Sequence, residues 1–276
     1  MPESTIQPPS DHLPRIAASS YLNTAPLIWS FLHGSRQQDV AMITDTAPVR
    51  CADLLARGEV EAALVPVIEY ERIPDGRAVP DVCVGSRSAV RSVVLVSKYD
   101  DLNQIRHVAL DEESRTSQAL IKIIFREFLE GEPQWQSFTP DLDQMLKSND
   151  AALLIGDPAM TISSTDHHVF DLATLWHRFT GTGFVFAMWM TRQTAGENRQ
   201  IDFAGARDEG LQHVDEIAQQ NVNVLGLPQG ELVSYLRENI CFNMDDDLKK
   251  GLELFLTFAR KHRFLSADSR LKMLEY

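Results

Sequence analysis

The chain has 276 residues, of which 44% are hydrophobic and 24% are charged, as in globular proteins long enough for two domains of modest size. Its 26 basic and 39 acidic residues give a formal net charge of -13. This charge, with no long basic run, excludes nucleic acid and anionic membranes as expected partners. A small anionic ligand would need local hydrogen-bond donors, because the overall field does not attract it.

Two features predict a cytoplasmic protein. Residues 1–14 are polar and proline-rich and lack the apolar core of a signal peptide, so we expect a flexible leader. The cysteines Cys51, Cys83 and Cys241 are odd in number and far apart, which is typical of a reducing compartment. No apolar run in the sequence has the length of a membrane span.

The first elements alternate between strands and helices. The pattern predicts strands at 16–18, 40–44 and 62–70, with helices at about 26–32 and 48–57 between them. This β-α-β-α-β order predicts a parallel sheet with right-handed crossovers.

Two further strands are predicted within residues 79–97, around a tight bend at 85–88. A second β-α-β-α-β series follows, and from Asp202 onward the pattern is helical, with helices predicted at 203–221, 227–238 and 245–262. We therefore predict an α/β protein with two lobes and a ligand cleft between them. The first lobe comprises residues 15–97 and 191–276, and the second lobe, residues 98–190, is inserted into it.

Polar residues follow the predicted strands, where open α/β sheets bind ligands. These clusters are Ser19-Ser20-Asn23, Asp45-Thr46, Ser86-Arg87-Ser88, Ser114-Arg115-Thr116-Ser117 and Gly156-Asp157. The histidines have no metal-ligand spacing, so no metal site is predicted.

Five motifs in consecutive order resemble those of the chorismate dehydratase family of the futalosine route to menaquinone. They are Ser20-Tyr-Leu-Asn-Thr24 with Pro26-Leu27, Cys51-Ala52 through residues 64–70, residues 82–96 with Gly85-Ser-Arg87, Ser114-Arg-Thr-Ser117, and Leu154-Ile-Gly-Asp-Pro158. The resemblance implies a two-lobed fold like that of type II periplasmic binding proteins. It also implies a cytosolic enzyme, a hydro-lyase that needs no metal or other cofactor and whose substrate is the small dicarboxylate chorismate.

The reaction implied by the resemblance removes water from chorismate to give 3-[(1-carboxyvinyl)oxy]benzoate. The C3 proton is vinylogously activated by the ring carboxylate, so elimination through a stabilised carbanion is plausible. Such a site must hold two carboxylates, stabilise charge on one of them and assist departure of the C4 hydroxyl. No side chain in the motifs stands out as the base, so a carboxylate of the substrate is one candidate for the proton acceptor.

Asn23 and Ser92 are the predicted catalytic residues. Asn23 would hydrogen-bond near the leaving hydroxyl or the enolpyruvyl group, although Asn23 or Thr24 is also suited to cap the following helix. Ser92 is assigned to the reacting end by the family pattern, and its alternative role is that of a small core residue.

The predicted substrate-binding residues are Ser20, Thr46, Ser86, Arg87, Ser114, Arg115, Thr116, Ser117 and Asp157. Ser114 to Ser117 would bind a carboxylate at a helix N-terminus, or merely begin that helix as an incomplete capping box. Ser86 and Arg87 would bind a second carboxylate, or form a plain hairpin turn. Asp157 would lie beside the substrate or cap the helix that begins near Pro158.

Two other functions remain open from the sequence. The first is a non-catalytic binding protein for a small carboxylate, although a transport receptor would be expected to carry an export signal. The second is a sister enzyme of the same route, a naphthoate synthase, which we expect to use a histidine in the cleft. No histidine occurs in the five motifs. The sequence predicts no oligomeric state.

Overall fold

The computed structural model describes residues 13–163, 165–192 and 201–275. The predicted leader therefore lies outside the described residues, except for its last two. The strands of the described chain are β1 (Arg15–Ser19), β2 (Ala41–Asp45), β3 (Ala62–Pro66), β4 (Arg77–Ser86), β5 (Val93–Ser97), β6 (His107–Asp111), β7 (Gln134–Phe138), β8 (Ala151–Ile155), β9 (His168–Asp171) and β10 (Phe184–Thr191).

Helices connect most of these strands and form the C-terminal part of the chain. They are α1 (Ala25–Leu32), α2 (Pro48–Arg57), α3 (Arg115–Phe128), α4 (Leu142–Ser148), α5 (Gly156–Met160), α6 (Leu172–Thr180), α7 (Phe203–Gln212), α8 (Val214–Leu225), α9 (Gln229–Ser234) and α10 (Asp246–Lys261). Short 3-10 turns cover Leu22–Thr24, Val67–Arg72 and Leu102–Gln104, and a π-helical turn covers Tyr235–Asn239.

The strands form two mixed sheets. Sheet 1 has the order β2-β1-β3-β10-β4, and sheet 2 has the order β7-β6-β8-β5-β9. Strand β1 is parallel to β2 and β3, which confirms the predicted parallel opening. Strand β6 is likewise parallel to β7 and β8. In sheet 1, β10 comes from a later part of the chain and pairs antiparallel with β3. In sheet 2, β5 comes from an earlier part of the chain and pairs antiparallel with β8.

The strand pairing corrects the predicted lobe boundaries and the predicted bend. Strands β4 and β5 belong to different sheets, so residues 87–92 cross between sheets and do not form a hairpin turn. All five residues of β5 are buried, and β5 lies between β8 and β9 in sheet 2. Strand β10 returns the chain to sheet 1. We assign the described residues within 13–86 and 184–275 to lobe 1, and those within 93–183 to lobe 2.

The C-terminal helices complete lobe 1. Helix α7 packs against α1, and α10 packs against β10. The single helix predicted at 203–221 is interrupted at His213, where the backbone leaves the helical conformation. Helix α10 buries the apolar side predicted for it, with Leu248, Leu252 and Phe255 in the core. Among the described residues no helix is long and apolar enough to cross a membrane.

Helix α10 approaches the chain just before β10 very closely. A Cβ atom added to Gly251 would lie 1.8 Å from the carbonyl oxygen of Gly183. Gly251→Ala should therefore force α10 away from β10 and lower the free energy of unfolding by about 2–3 kcal/mol, as overpacking typically does.

Denaturant titration of Gly251→Ala beside Gly230→Ala tests this contact. Gly230 lies in α9, and no atom outside its own stretch of helix lies within 4 Å of its added Cβ, so Gly230→Ala should be neutral or stabilising by up to about 1 kcal/mol. Equal stabilities for the two variants would contradict the close approach.

Candidate active site

A cavity lies between the two lobes. Its walls are mainly apolar: Leu64 and Phe186 come from lobe 1, and Val93 and Ile155 come from lobe 2. Polar groups converge on it from the loop before α3 and from the turn after β1. This combination of an apolar body and a few placed polar groups is typical of small-molecule sites.

The N-terminus of α3 supplies one polar side of the cavity. Ser114 occupies the N-cap position but makes no side-chain capping bond, so the predicted capping-box interpretation is wrong. The backbone N–H groups of Arg115, Thr116 and Ser117 have no partners from within the helix, and all three residues line the cavity. These N–H groups and the helix dipole favour a negatively charged ligand.

Two contacts from lobe 1 hold this helix terminus in place. The backbone N–H of Ile68 donates to Thr116 Oγ1 at 3.3 Å, which leaves the hydroxyl proton of Thr116 able to donate. Arg115 Nη1 donates to both carboxylate oxygens of Glu69, at 3.0 and 3.1 Å. Glu69 also pairs with Arg72. Burial raises the pKa of Glu69 to about 7, while Arg72 opposes this change.

The turn after β1 supplies the other polar side. Thr24 takes the N-cap position of α1, but its hydroxyl donates to the carbonyl oxygens of Ser19 and Tyr21 and does not cap the helix. Asn23 does not cap the helix either. Its side-chain oxygen is buried and has no hydrogen-bond partner within the described residues, while Asn23 lines the cavity. A hydrogen-bond donor on a ligand in the cavity would satisfy this oxygen.

Asp157 is neither a cap of its own helix nor part of the cavity lining. Its Oδ1 accepts the backbone N–H of Leu22 at 2.9 Å, across the boundary between the lobes. The N-cap of α5 is Ile155, so the predicted capping role of Asp157 is wrong. Burial raises the pKa of Asp157 to about 6, and the hydrogen bond from Leu22 acts in the opposite direction.

Three of the predicted substrate-binding residues are exposed on other surfaces and do not line the cavity. Ser20 is exposed beside β2. Thr46 is exposed, and its hydroxyl accepts a hydrogen bond from Arg50. Arg87 is exposed and forms an ion pair with Asp245 at 2.5 Å. These residues were predicted to bind substrate because they follow strands in the sequence. In the folded chain they lie on surfaces away from the cavity.

Ser86 and Ser92 are buried behind the cavity wall. The Ser86 hydroxyl has no hydrogen-bond partner within the described residues, and it does not line the cavity. Ser92 Oγ accepts a hydrogen bond from the Tyr235 hydroxyl at 2.8 Å. The carbonyl oxygen of Ser92 accepts the backbone N–H of Gly156, a lining residue. Ser92 thus contacts the wall through its main chain.

Sequence reasoning missed Tyr21 and Glu113 as lining residues. Burial raises the pKa of the Tyr21 phenol, and the negative charge of nearby Glu113 acts in the same direction. Tyr21 lies within the motif Ser20-Tyr-Leu-Asn-Thr24, and Glu113 directly precedes the motif Ser114-Arg-Thr-Ser117. Their position in or beside a motif is the signal that could have indicated them. Ser19 lines the cavity where Ser20 was predicted, since neighbouring residues at the end of β1 face opposite ways.

Within the described ranges, no group of three or more His, Cys, Asp or Glu side chains is arranged to hold a metal ion. The cavity polar groups are hydroxyls, amides, one guanidinium and one carboxylate. Such a set is suited to hydrogen bonding with an anionic organic ligand.

Solved structures share this two-lobed arrangement. A protein from Archaeoglobus fulgidus gives a TM-score of 0.72 at 15% identity, covering 92% of this chain and 99% of that one. The periplasmic aliphatic sulphonate binding protein of Escherichia coli gives 0.60 at 13% identity, covering 97% and 95%. A Candida albicans protein described as having the generic periplasmic binding protein fold gives 0.61 at 16% identity, covering 96% and 98%. The chain therefore has a periplasmic-binding-protein-like fold, as predicted.

Sequence comparison is more specific. A family described as menaquinone biosynthesis matches residues 14–261. A chorismate dehydratase from Thermus thermophilus is 31% identical over 255 residues, which cover 85% of this chain and 91% of that protein. The chain belongs to this menaquinone biosynthesis family, and the predicted resemblance is confirmed.

The raised pKa of Asp157 predicts how stability depends on pH. Since the folded-state pKa is about 6 and the ordinary value is 3.8, the ionised carboxylate destabilises the fold at neutral pH. This penalty disappears as the pH falls from about 6 to below 4, where the group is protonated in both states. Asp157→Asn should therefore raise the free energy of unfolding by about 2 kcal/mol near pH 7.5 and by much less near pH 4.

Chemical denaturation at the two pH values measures this difference. Asp141→Asn is the control, because Asp141 is an exposed carboxylate that caps α4 through the backbone N–H of Gln144. It should not stabilise the protein at either pH. A constant effect of Asp157→Asn across the pH range would contradict the assigned burial penalty.

Proposed function

We propose that the protein is a chorismate dehydratase, which eliminates water from chorismate to give 3-[(1-carboxyvinyl)oxy]benzoate in menaquinone biosynthesis. Membership of the family and the chorismate dehydratase from Thermus thermophilus support this proposal. The structural observation that carries it is the cavity itself. The N-terminus of α3, which has no side-chain cap, supplies carboxylate-binding groups there. The side-chain oxygen of Asn23, which has no hydrogen-bond partner within the described residues, can accept a hydrogen bond from a ligand.

The α3 terminus would bind the ring carboxylate. Removal of the C3 proton delocalises negative charge through the C1–C2 double bond onto that carboxylate. The backbone N–H groups of residues 115–117 and the hydroxyls of Thr116 and Ser117 would stabilise this charge as it forms. The apolar wall, including Leu64 and Phe186, would pack against the ring as it becomes aromatic.

Asn23 would act at the leaving group. Its side-chain oxygen would accept a hydrogen bond from the C4 hydroxyl and orient it, and its NH2 group would donate to the departing oxygen. Ser92 remains the second residue assigned to the reacting end by the family pattern. Its buried hydroxyl, fixed by Tyr235, would support the wall beside the enolpyruvyl group.

The substrate would supply the base. Glu113 is the one carboxylate among the described lining residues, and it lies near the Tyr21 phenol. We propose instead that a carboxylate of chorismate takes the C3 proton. The elimination is redox-neutral: the C3–H and C4–O bonds break, a C3–C4 double bond forms, and water leaves. The enzyme is thus proposed to be a carbon-oxygen lyase that needs no cofactor, and we propose a cytoplasmic location for it.

The naphthoate synthase alternative was expected to place a histidine in the cleft. No histidine is among the lining residues within the described part of the chain. The non-catalytic alternative shares the same cavity, so it is separated from the dehydratase only by an assay.

The direct test is incubation of the EDTA-treated protein with chorismate, followed by chromatography. Loss of chorismate with formation of the enolpyruvyl benzoate, in the absence of added metal or nucleotide, would support the proposed activity. Binding of chorismate without product would favour the binding-protein alternative. Absence of both binding and turnover would contradict chorismate as the substrate.

Asn23→Ala should lower kcat by about 100-fold, because it removes hydrogen bonds to the departing hydroxyl that strengthen in the transition state. Steady-state kinetics beside Asn221→Ala measures this effect. Asn221 donates to the carbonyl oxygen of Ile217 within α8 and does not line the cavity, so its variant should keep the parent kcat. Unchanged turnover in Asn23→Ala would exclude the catalytic role.

A further inference from the structure

Two contacts from lobe 2 hold the turn that carries Asn23. The ring of Tyr21 lies against the backbone of Gly156, and Asp157 accepts the N–H of Leu22. Both contacts involve the two residues that immediately precede Asn23. They connect the end of β8 in lobe 2 with the end of β1 in lobe 1.

Gly156 allows this close contact for two reasons. Its φ angle of +70° lies in the left-handed region, which side-chain-bearing residues adopt only with strain. A Cβ atom at this position would also lie 2.6 Å from Cζ of Tyr21. The ring can therefore rest directly on the backbone of lobe 2 only because residue 156 has no side chain.

Asp157 caps a turn that has no capping side chain from its own segment. The 3-10 turn Leu22–Thr24 begins after Tyr21, which provides no side-chain capping bond. The acceptor for the N–H of its first residue is instead the carboxylate of Asp157, 135 positions later in the chain. Asn23 is the central residue of the turn fixed in this way.

We infer that Asp157 is a positioning residue for Asn23. Asp157 orients the side-chain amide of Asn23 only when lobe 2 is closed against lobe 1. This inference rests on the proposed function for the role of Asn23, but the contact itself does not. Asp157 does not line the cavity, so it acts through the turn and not on the substrate. An open enzyme would leave the turn uncapped and Asn23 free to move, and would therefore bind chorismate without efficient elimination.

Kinetics of position-157 variants tests the inference. Asp157→Ala should lower kcat by about tenfold or more and change KM by less than about threefold, because the loss affects alignment more than binding. Asp157→Asn keeps an acceptor oxygen for Leu22 and should recover most of the lost kcat. Asp141→Ala, which removes a carboxylate from the α4 N-cap, is the matched control and should keep the parent kcat.

The double variant Asn23→Ala/Asp157→Ala distinguishes positioning from an independent effect. If Asp157 acts through Asn23, the double variant should have the kcat of Asn23→Ala alone. Multiplicative losses would overturn the inference. Equal losses in Asp157→Ala and Asp157→Asn would also overturn it, since they would require the charge and not the acceptor oxygen.

Hydrogen exchange of residues 20–24 provides a readout that does not need turnover. Asp157→Ala should increase exchange in this segment, and Asp157→Asn should not. Asp157→Ser, whose shorter side chain does not reach Leu22, replaces Asp157→Ala if the latter folds poorly. Unchanged exchange in both truncated variants would overturn the inference even if chorismate is not the substrate. Altered exchange with no turnover by the parent protein would instead count against the proposed function alone.

Discussion

Burial of β5 and β10 on both faces is the constraint on which the cavity depends. Each strand is almost entirely apolar and buried, and each lies in the interior of a sheet with a neighbouring strand at both edges. β5 carries the chain into sheet 2, and β10 returns it to sheet 1. The cavity lies where these strands adjoin the ends of β1, β3 and β8. Val93 of β5 and Phe186 of β10 consequently face the same ligand space from different lobes.

Local donors offset the unfavourable net charge of the protein. A chain with a formal charge of -13 repels a dianion at a distance, but the α3 terminus presents N–H groups without internal partners. Glu69 does not cancel this advantage, because its carboxylate is paired with Arg72 and Arg115. The pairing fixes Arg115 at the rim of the cavity, while the backbone of α3 faces the ligand space. Anion binding here depends on dipoles and hydrogen bonds that operate over a few ångströms.

Local sequence patterns predicted the parts of the site that depend on local structure. Asn23 and Ser114 to Ser117 follow apolar strands directly and begin helical segments, so their position at the cavity follows from strand–turn–helix order. Arg87 could not be placed in this way, because its position depends on whether β5 pairs with β4 or with β8. Which strand β5 pairs with depends on how the whole sheet buries its strands, and not on the residues near Arg87. Asp157 was misassigned for the same reason: its partner, Leu22, is distant in sequence, and nothing in the local pattern near Pro158 indicates it.

The position of β10 implies an order for folding during synthesis. β10 lies between β3 and β4, so sheet 1 is divided into two pieces until β10 has left the ribosome. All of lobe 2, residues 93–183, is made before that point, and sheet 2 contains no strand from later in the chain. Lobe 2 can therefore complete its sheet while lobe 1 still lacks an interior strand. Ser86 and Phe184 pair on neighbouring strands, so the two ends of the lobe 2 insertion meet side by side. Once lobe 2 has folded, it would hold β10 close to the gap between β3 and β4. Folding of lobe 2 would thereby assist completion of lobe 1, whose first strands are synthesised earlier.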